Sequence, residues 1–96
     1  MEMNQKEAQK LVETELAQSL GSQENFGVVV LENETIEHEW GWVFFYQSKE
    51  YLKTGDFRHA LAGNAPYIVN RKNGQIRVTG TAHPIEYYIQ EYEQSL

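Results

Sequence analysis

A strict two-residue alternation runs through residues 35–47, and it limits the possible folds more than any other feature of the chain. Side chains of a β-strand point alternately to opposite faces, so this pattern predicts one long strand. One face changes from glutamate to apolar residues at Gly41, where we expect a bulge or a bend. The first half of the strand is then expected to project into solvent. The other face is mostly aromatic: Ile36, His38, Trp40, Trp42, Phe44 and Tyr46.

Amphipathic helices are predicted near both ends of the sequence. Asn4 can cap the first, with Glu7 three residues later, and Gly21 ends it. Pro84 suits the first position of the second helix. Apolar residues recur in both segments at helical spacing, so each helix must bury one face. These stripes are Ala8, Leu11, Val12, Leu16 and Leu20, and Ile85, Tyr88, Ile89, Tyr92 and Leu96.

Shorter elements fill the remainder of the chain. The apolar run at residues 26–31 predicts a strand, and residues 66–70 and 75–79 predict two more around the turn-forming pair Asn73-Gly74. Two registers remain open for this hairpin. A two-residue turn places Tyr67, Val69, Ile76 and Val78 on one face, whereas a bulged turn that starts at Lys72 aligns Ile68 with Val78. A helical turn capped by Ser48 and closed by Gly55, then an apolar turn at residues 57–62, are predicted to connect the strands.

Together these elements predict an α+β fold in the order α-β-β-β-β-α. Short consecutive strands favour an antiparallel sheet, here four-stranded, with the N- and C-terminal helices packed on one face of it. With 96 residues the chain accommodates one two-layer domain, spanning residues 1–96.

Charge and composition narrow the classes of partner. The chain has 14 acidic and 8 basic residues, a net charge of −6, and no cysteine. This charge repels nucleic acids and anionic membranes and favours a basic partner. The absence of cysteine excludes disulfides and thiolate chemistry. Since neither an 18-residue apolar run nor the apolar core of a secretion signal is present, we expect a soluble cytoplasmic protein.

The sequence offers little support for catalysis. Asp56 is the only aspartate, and no nucleophile elbow or phosphate-binding loop occurs. The histidines, His38, His59 and His83, are too far apart in sequence to predict a metal site, although one assembled from His38 with Glu37 or Glu39 stays open. We therefore predict that the protein is not an enzyme and that it binds neither a metal nor a cofactor.

The remaining signal is a protein-binding surface. Acidic residues cluster between Glu32 and Glu39, and Trp40 follows them directly. Tryptophan is enriched where proteins meet, and an acidic patch beside it steers basic partners. The predicted contact residues are Glu34, Glu37, Glu39 and Trp40, with Tyr51 and Asp56 as a second region. We expect them to bind a basic or cleft-bearing surface of the partner.

Three motifs carry a family resemblance: GWVFFYQSKEY at residues 41–51, ALAGNAP at 60–66 and GTAHPIEYY at 80–88. In this order they resemble the immunity protein 35 family, also described as YrhB-like domains. The resemblance implies a small α+β protein encoded beside a polymorphic or contact-dependent toxin, which it binds and neutralises by stoichiometric protein–protein inhibition. Two alternatives stay open: a chaperone-like protein that binds non-native chains, and a small ligand-binding or enzymatic module.

Overall fold

A computed structural model describes residues 2–19, 28–55 and 65–96. Predictions for Gly21, the start of the first strand, Asp56, His59 and the turn at residues 57–62 lie outside this part of the chain. The helices are α1 (Gln5–Ser19), α2 (Lys49–Thr54) and α3 (Ile85–Gln94), with a short 3-10 turn at Glu32–Glu34. The strands are β1 (Val28–Val30), β2 (Ile36–His38), β3 (Gly41–Phe44), β4 (Tyr46–Ser48), β5 (Tyr67–Asn70) and β6 (Ile76–Val78).

The alternating segment forms a hairpin, so the prediction of one long strand is wrong. Strands β2 and β3 pair antiparallel, with His38 opposite Gly41, and the chain reverses at Glu39 and Trp40. The alternation of apolar residues continues through a two-residue turn, so it cannot reveal the reversal. Gly41 is essential here for a reason other than a bend. It has φ +153°, and a Cβ on it would lie 1.9 Å from the carbonyl oxygen of Val69.

The strands form two antiparallel sheets. The larger has the order β2-β3-β5-β6, and the smaller pairs β1 with β4. Phe45 separates β3 from β4, and the 3-10 turn Glu32–Glu34 separates β1 from β2. The α+β class, the antiparallel pairing and a four-stranded sheet are therefore confirmed, but the described residues form six strands, two more than the predicted order contains.

The terminal helices flank the larger sheet on opposite faces. Helix α1 covers the face that bears Trp42 and Val69, whereas α3 covers the face that bears Val43 and Ile68. The prediction that both helices pack on one face is therefore wrong. The physical reason lies in β3 and β5, whose consecutive residues are apolar and buried on both faces. A strand of this kind needs cover on each side.

The helix-capping residues were predicted correctly from the sequence, unlike the long strand and the placement of the terminal helices. The side-chain oxygen of Asn4 accepts a hydrogen bond from the Glu7 backbone N–H at 2.8 Å, and the Glu7 carboxylate accepts one from the Asn4 N–H at 2.9 Å. This confirms the predicted cap of α1. Ser48 caps α2, which ends at Gly55 with φ +71°.

The β5–β6 hairpin has the shared face predicted for a two-residue turn, but its register is neither of the two considered. Tyr67 lies opposite Val78, and Val69 lies opposite Ile76, so these four side chains share one face. The connection, however, is a four-residue loop at residues 71–74, because Asn70 and Gln75 are still paired through a backbone hydrogen bond of 3.0 Å.

Candidate binding surface at the β2–β3 hairpin

Trp40 lies at the tip of the β2–β3 hairpin and is held from three sides. Its indole Nε1 donates a hydrogen bond to Glu93 Oε2 at 2.9 Å. Its ring stacks on His38, with centroids 4.7 Å apart and planes 8° from parallel, and it packs at a tilt against Tyr92, also at 4.7 Å. The side chain remains half-buried. Trp40 is therefore a rigid aromatic group with part of its surface open to solvent.

Arg71 holds the turn that carries Trp40. Its Nη2 donates to the carboxylate of Glu37 at 3.0 Å and to the carbonyl oxygen of His38 at 2.8 Å, and its Nε donates to the carbonyl of Glu39 at 3.1 Å. The Arg71 backbone N–H donates to the Trp40 carbonyl at 2.7 Å. The planar guanidinium suits such a fork of acceptors. One side chain thus fixes the backbone of the whole turn.

The role of Arg71 was not predicted from the sequence. The sequence shows that Arg71 directly follows a predicted strand. Its role, however, depends on the pairing of β3 with β5, in which Gly41 lies opposite Asn70. That pairing places Arg71 beside the turn. The guanidinium carbon also lies 4.5 Å above the ring centre of Trp42, so a buried aromatic supports it from below.

An open groove of about 390 Å³ runs beside Trp40. Leu96 provides an apolar wall with 64% of its surface exposed, and Glu39 and Lys72 place opposite charges at the rim. Asn70 lies at the same groove and donates a hydrogen bond to the Tyr92 hydroxyl at 2.9 Å. The groove can accept a side chain of a partner next to a fixed tryptophan and an exposed carboxylate.

The hairpin brings three of the predicted contact residues together: Glu37, Glu39 and Trp40. Glu34 is exposed in the 3-10 turn, which precedes β2. This places Glu34 at the opposite end of β2 from the hairpin turn that carries Trp40. Tyr51 lies on α2, which packs on β4, so it belongs to another part of the surface. Asp56 is outside the described residues. The structure adds Arg71 and Glu93 to the predicted set.

Metal binding gains no support from this geometry. Across residues 2–19, 28–55 and 65–96, no three His, Asp or Glu side chains are placed to hold a metal ion. The Glu37 carboxylate is paired with Arg71, and the His38 ring is stacked on Trp40. In the same residues, no helix combines the length and apolar character needed to cross a membrane.

Comparisons with known proteins place this chain in a family. The family model described as immunity protein 35 matches residues 6–95. A curated protein from Escherichia coli (strain K12), named "Uncharacterized protein YrhB", is 49% identical over 53 residues, which cover 55% of this chain and 56% of that protein. The match thus spans about half the length of this relative. No solved structure matches. Because the family model extends from α1 to α3, the chain belongs to the immunity protein 35 family.

Proposed function

We propose that this protein is a cytoplasmic immunity protein that binds a cognate bacterial toxin domain and neutralises it by stoichiometric protein–protein inhibition. Membership of the family supports a toxin as partner. The single observation that carries the proposed contact surface is the fixed, half-exposed Trp40, held by Glu93, His38 and Tyr92 at the tip of a hairpin.

A pre-organised tryptophan suits this role for an energetic reason. Ordering a flexible side chain on binding costs about 0.5–1.5 kcal/mol, and a side chain that is already held in place avoids most of that cost. Tryptophan also dominates binding energy more often than other residues when a partner buries it. The groove between Trp40 and Leu96 supplies the concave surface beside this anchor.

The charge of the hairpin favours a basic toxin surface. Glu39 lies next to Trp40 in the turn and Glu93 accepts the hydrogen bond of its indole, whereas the Glu37 carboxylate is paired with Arg71. The chain has no Lys or Arg between Lys10 and Lys49. Such a patch accelerates association with a basic partner by roughly ten- to a thousandfold at low salt. Glu34 extends the acidic surface along the chain, and we propose Tyr51 and Asp56 as a second contact region. In this scheme the protein acts by occupying the toxin, without catalysis or a cofactor.

Co-expression with the toxin domain encoded in the adjacent reading frame tests the proposal. The wild-type chain should restore growth, and Trp40→Ala should lose most of that protection. Val29→Ala is the matched control, because Val29 is an exposed apolar residue on β1, in the smaller sheet and outside both proposed contact regions. Failure of the wild-type chain to protect contradicts the immunity function. Full protection by Trp40→Ala contradicts the contact surface only.

Aggregation and binding measurements distinguish the immunity function from the chaperone-like alternative. A chaperone-like protein should reduce aggregation of unrelated unfolded proteins and should show no preference for the adjacent toxin. An immunity protein should form one tight complex and leave unrelated proteins unaffected.

A further inference from the structure

A second aromatic cluster lies on the other flank of α3. The ring of Tyr87 is 4.2 Å from that of His83, and it meets Tyr88 edge-on at 5.3 Å and 89°. Tyr87 is 43% exposed. This cluster therefore presents an exposed aromatic surface that is separate from the aromatic contacts of Trp40 at the β2–β3 hairpin.

Contacts beneath the cluster hold it in place. Tyr88 lies so close to Gly80 that a Cβ at that position would be 2.6 Å from the tyrosine hydroxyl. The Tyr87 hydroxyl donates a hydrogen bond to Glu91 Oε2 at 3.3 Å. The charge of Glu91 raises the pKa of Tyr87 above its ordinary value of 10.0, as expected for a hydroxyl that donates to a carboxylate.

A groove of about 230 Å³ passes between the cluster and β6. Tyr88 and Glu91 form its α3 side, and Arg77 lies on its β6 side. The guanidinium of Arg77 is already engaged, because its carbon lies 5.0 Å from the ring centre of Tyr92 and its Nη1 donates a hydrogen bond to Ser95. After Arg77 the sequence contains no Lys or Arg. The α3 side of the groove therefore combines the ring of Tyr88 with the exposed carboxylate of Glu91, and Tyr87 contacts both of these residues.

Aromatic faces and a carboxylate together bind a cationic side chain. The ring attracts the cation through its quadrupole, and the carboxylate adds a direct ion pair. We propose that Tyr87, Tyr88 and Glu91 bind an arginine or lysine side chain of the partner protein. This inference rests on the proposed function and gives the toxin a second contact.

The two contacts lie on different flanks of one helix. Glu93, which holds Trp40, is two residues beyond Glu91, and two residues correspond to about 160° of separation around a helix axis. Tyr92 lies between them in sequence and is buried against the sheet. A partner that engages both contacts must therefore extend across α3.

Titration with the peptide acetyl-Arg-Lys-Arg-amide, followed by amide chemical shifts, tests this site without the toxin. We expect the largest shifts at residues 87–91 and none from acetyl-Gln-Gln-Gln-amide. Tyr87→Leu, which keeps an apolar helical residue, should weaken binding by roughly two- to fivefold, whereas Tyr87→Phe should bind as the wild type does. Glu91→Gln should also weaken binding.

Glu13→Gln provides the matched control, since it removes one exposed carboxylate from α1. It should leave the affinity unchanged. The inference is overturned if the shifts are spread equally over the acidic residues of α1 and α3. It is also overturned if Tyr87→Leu binds the peptide with the same affinity as the wild type. Either result leaves the immunity function intact, since toxin protection is measured separately.

Discussion

Trp40 and Glu93 are joined by a hydrogen bond of 2.9 Å that connects the tip of the β2–β3 hairpin to the last turn of α3. The two residues are 53 positions apart in the sequence, so the bond couples the indole on this turn, whose backbone Arg71 holds, to the C-terminal helix. The hairpin therefore presents Trp40 in one orientation, and its geometry depends on α3 being in place.

Replacing Glu93 by Ala should loosen Trp40. The lost hydrogen bond to a charged, exposed acceptor should lower the free energy of unfolding by about 1 kcal/mol. The indole should also become more mobile and more solvated, seen as a red-shifted tryptophan emission with lower anisotropy. Glu86→Ala, which removes a glutamate from the same helix away from Trp40, should leave the emission unchanged. An unchanged spectrum in Glu93→Ala contradicts this role.

Replacing Arg71 by Lys should destabilise the hairpin although the charge is kept. A single ammonium cannot bond in the same fork to Glu37 and the carbonyls of His38 and Glu39. We expect the free energy of unfolding to fall by about 1–3 kcal/mol in urea denaturation. Glu37→Gln should cost less than about 1 kcal/mol, because the Glu37 side chain is 61% exposed. Equal effects of the two variants argue against the clamp.

Two glycine substitutions test the tight approach of β3 and β5. Gly41→Ala should cost more than about 3 kcal/mol or abolish cooperative folding, because the new Cβ meets the Val69 carbonyl at 1.9 Å. Gly55→Ala should cost only about 1 kcal/mol, because its φ of +71° is strained for alanine but nothing lies within 4 Å. Similar losses at both positions contradict the close approach at Gly41.

The structure also predicts a loss of stability at high pH. Burial, with a smaller effect of Tyr67, raises the pKa of Tyr46 to about 12 from 10.0. The folded state holds this proton more tightly than the unfolded state, so the contribution is complete below pH 10 and disappears as the pH approaches 12. The free energy of unfolding should fall by up to about 1.4 kcal/mol per pH unit in this window. Tyr46→Phe should show a shallower decline in denaturation measured from pH 9 to 12, and an equal slope contradicts the assignment.

These residues also show how far the sequence predicts the fold. Capping of α1 by Asn4, capping of α2 by Ser48, and the shared face of Tyr67 and Ile76 follow from contacts between near neighbours in sequence. The reversal at Glu39 and Trp40 could not be predicted, because a two-residue turn preserves the alternation. The placement of α3 opposite α1 depends on which strands become buried on both faces, which only tertiary packing decides.

Some residues of the candidate site could likewise be predicted from the sequence, and others could not. The acidic run and Trp40 were identified from composition and residue type, whereas Arg71 and Glu93 were not. Both reach the hairpin from distant positions, Arg71 through the pairing of β3 with β5 and Glu93 through the packing of α3 on the sheet. A residue whose role is to position another residue leaves little signal in a single sequence.

Stoichiometric inhibition is tested most directly by a titration of toxin activity. The purified protein is added in increasing amounts to the toxin domain encoded beside it, at concentrations well above the dissociation constant. Stoichiometric inhibition predicts a linear loss of activity that ends at a fixed molar ratio, with Trp40→Ala shifted to much higher ratios. Full toxin activity in the presence of a large excess of the wild-type protein would contradict the account.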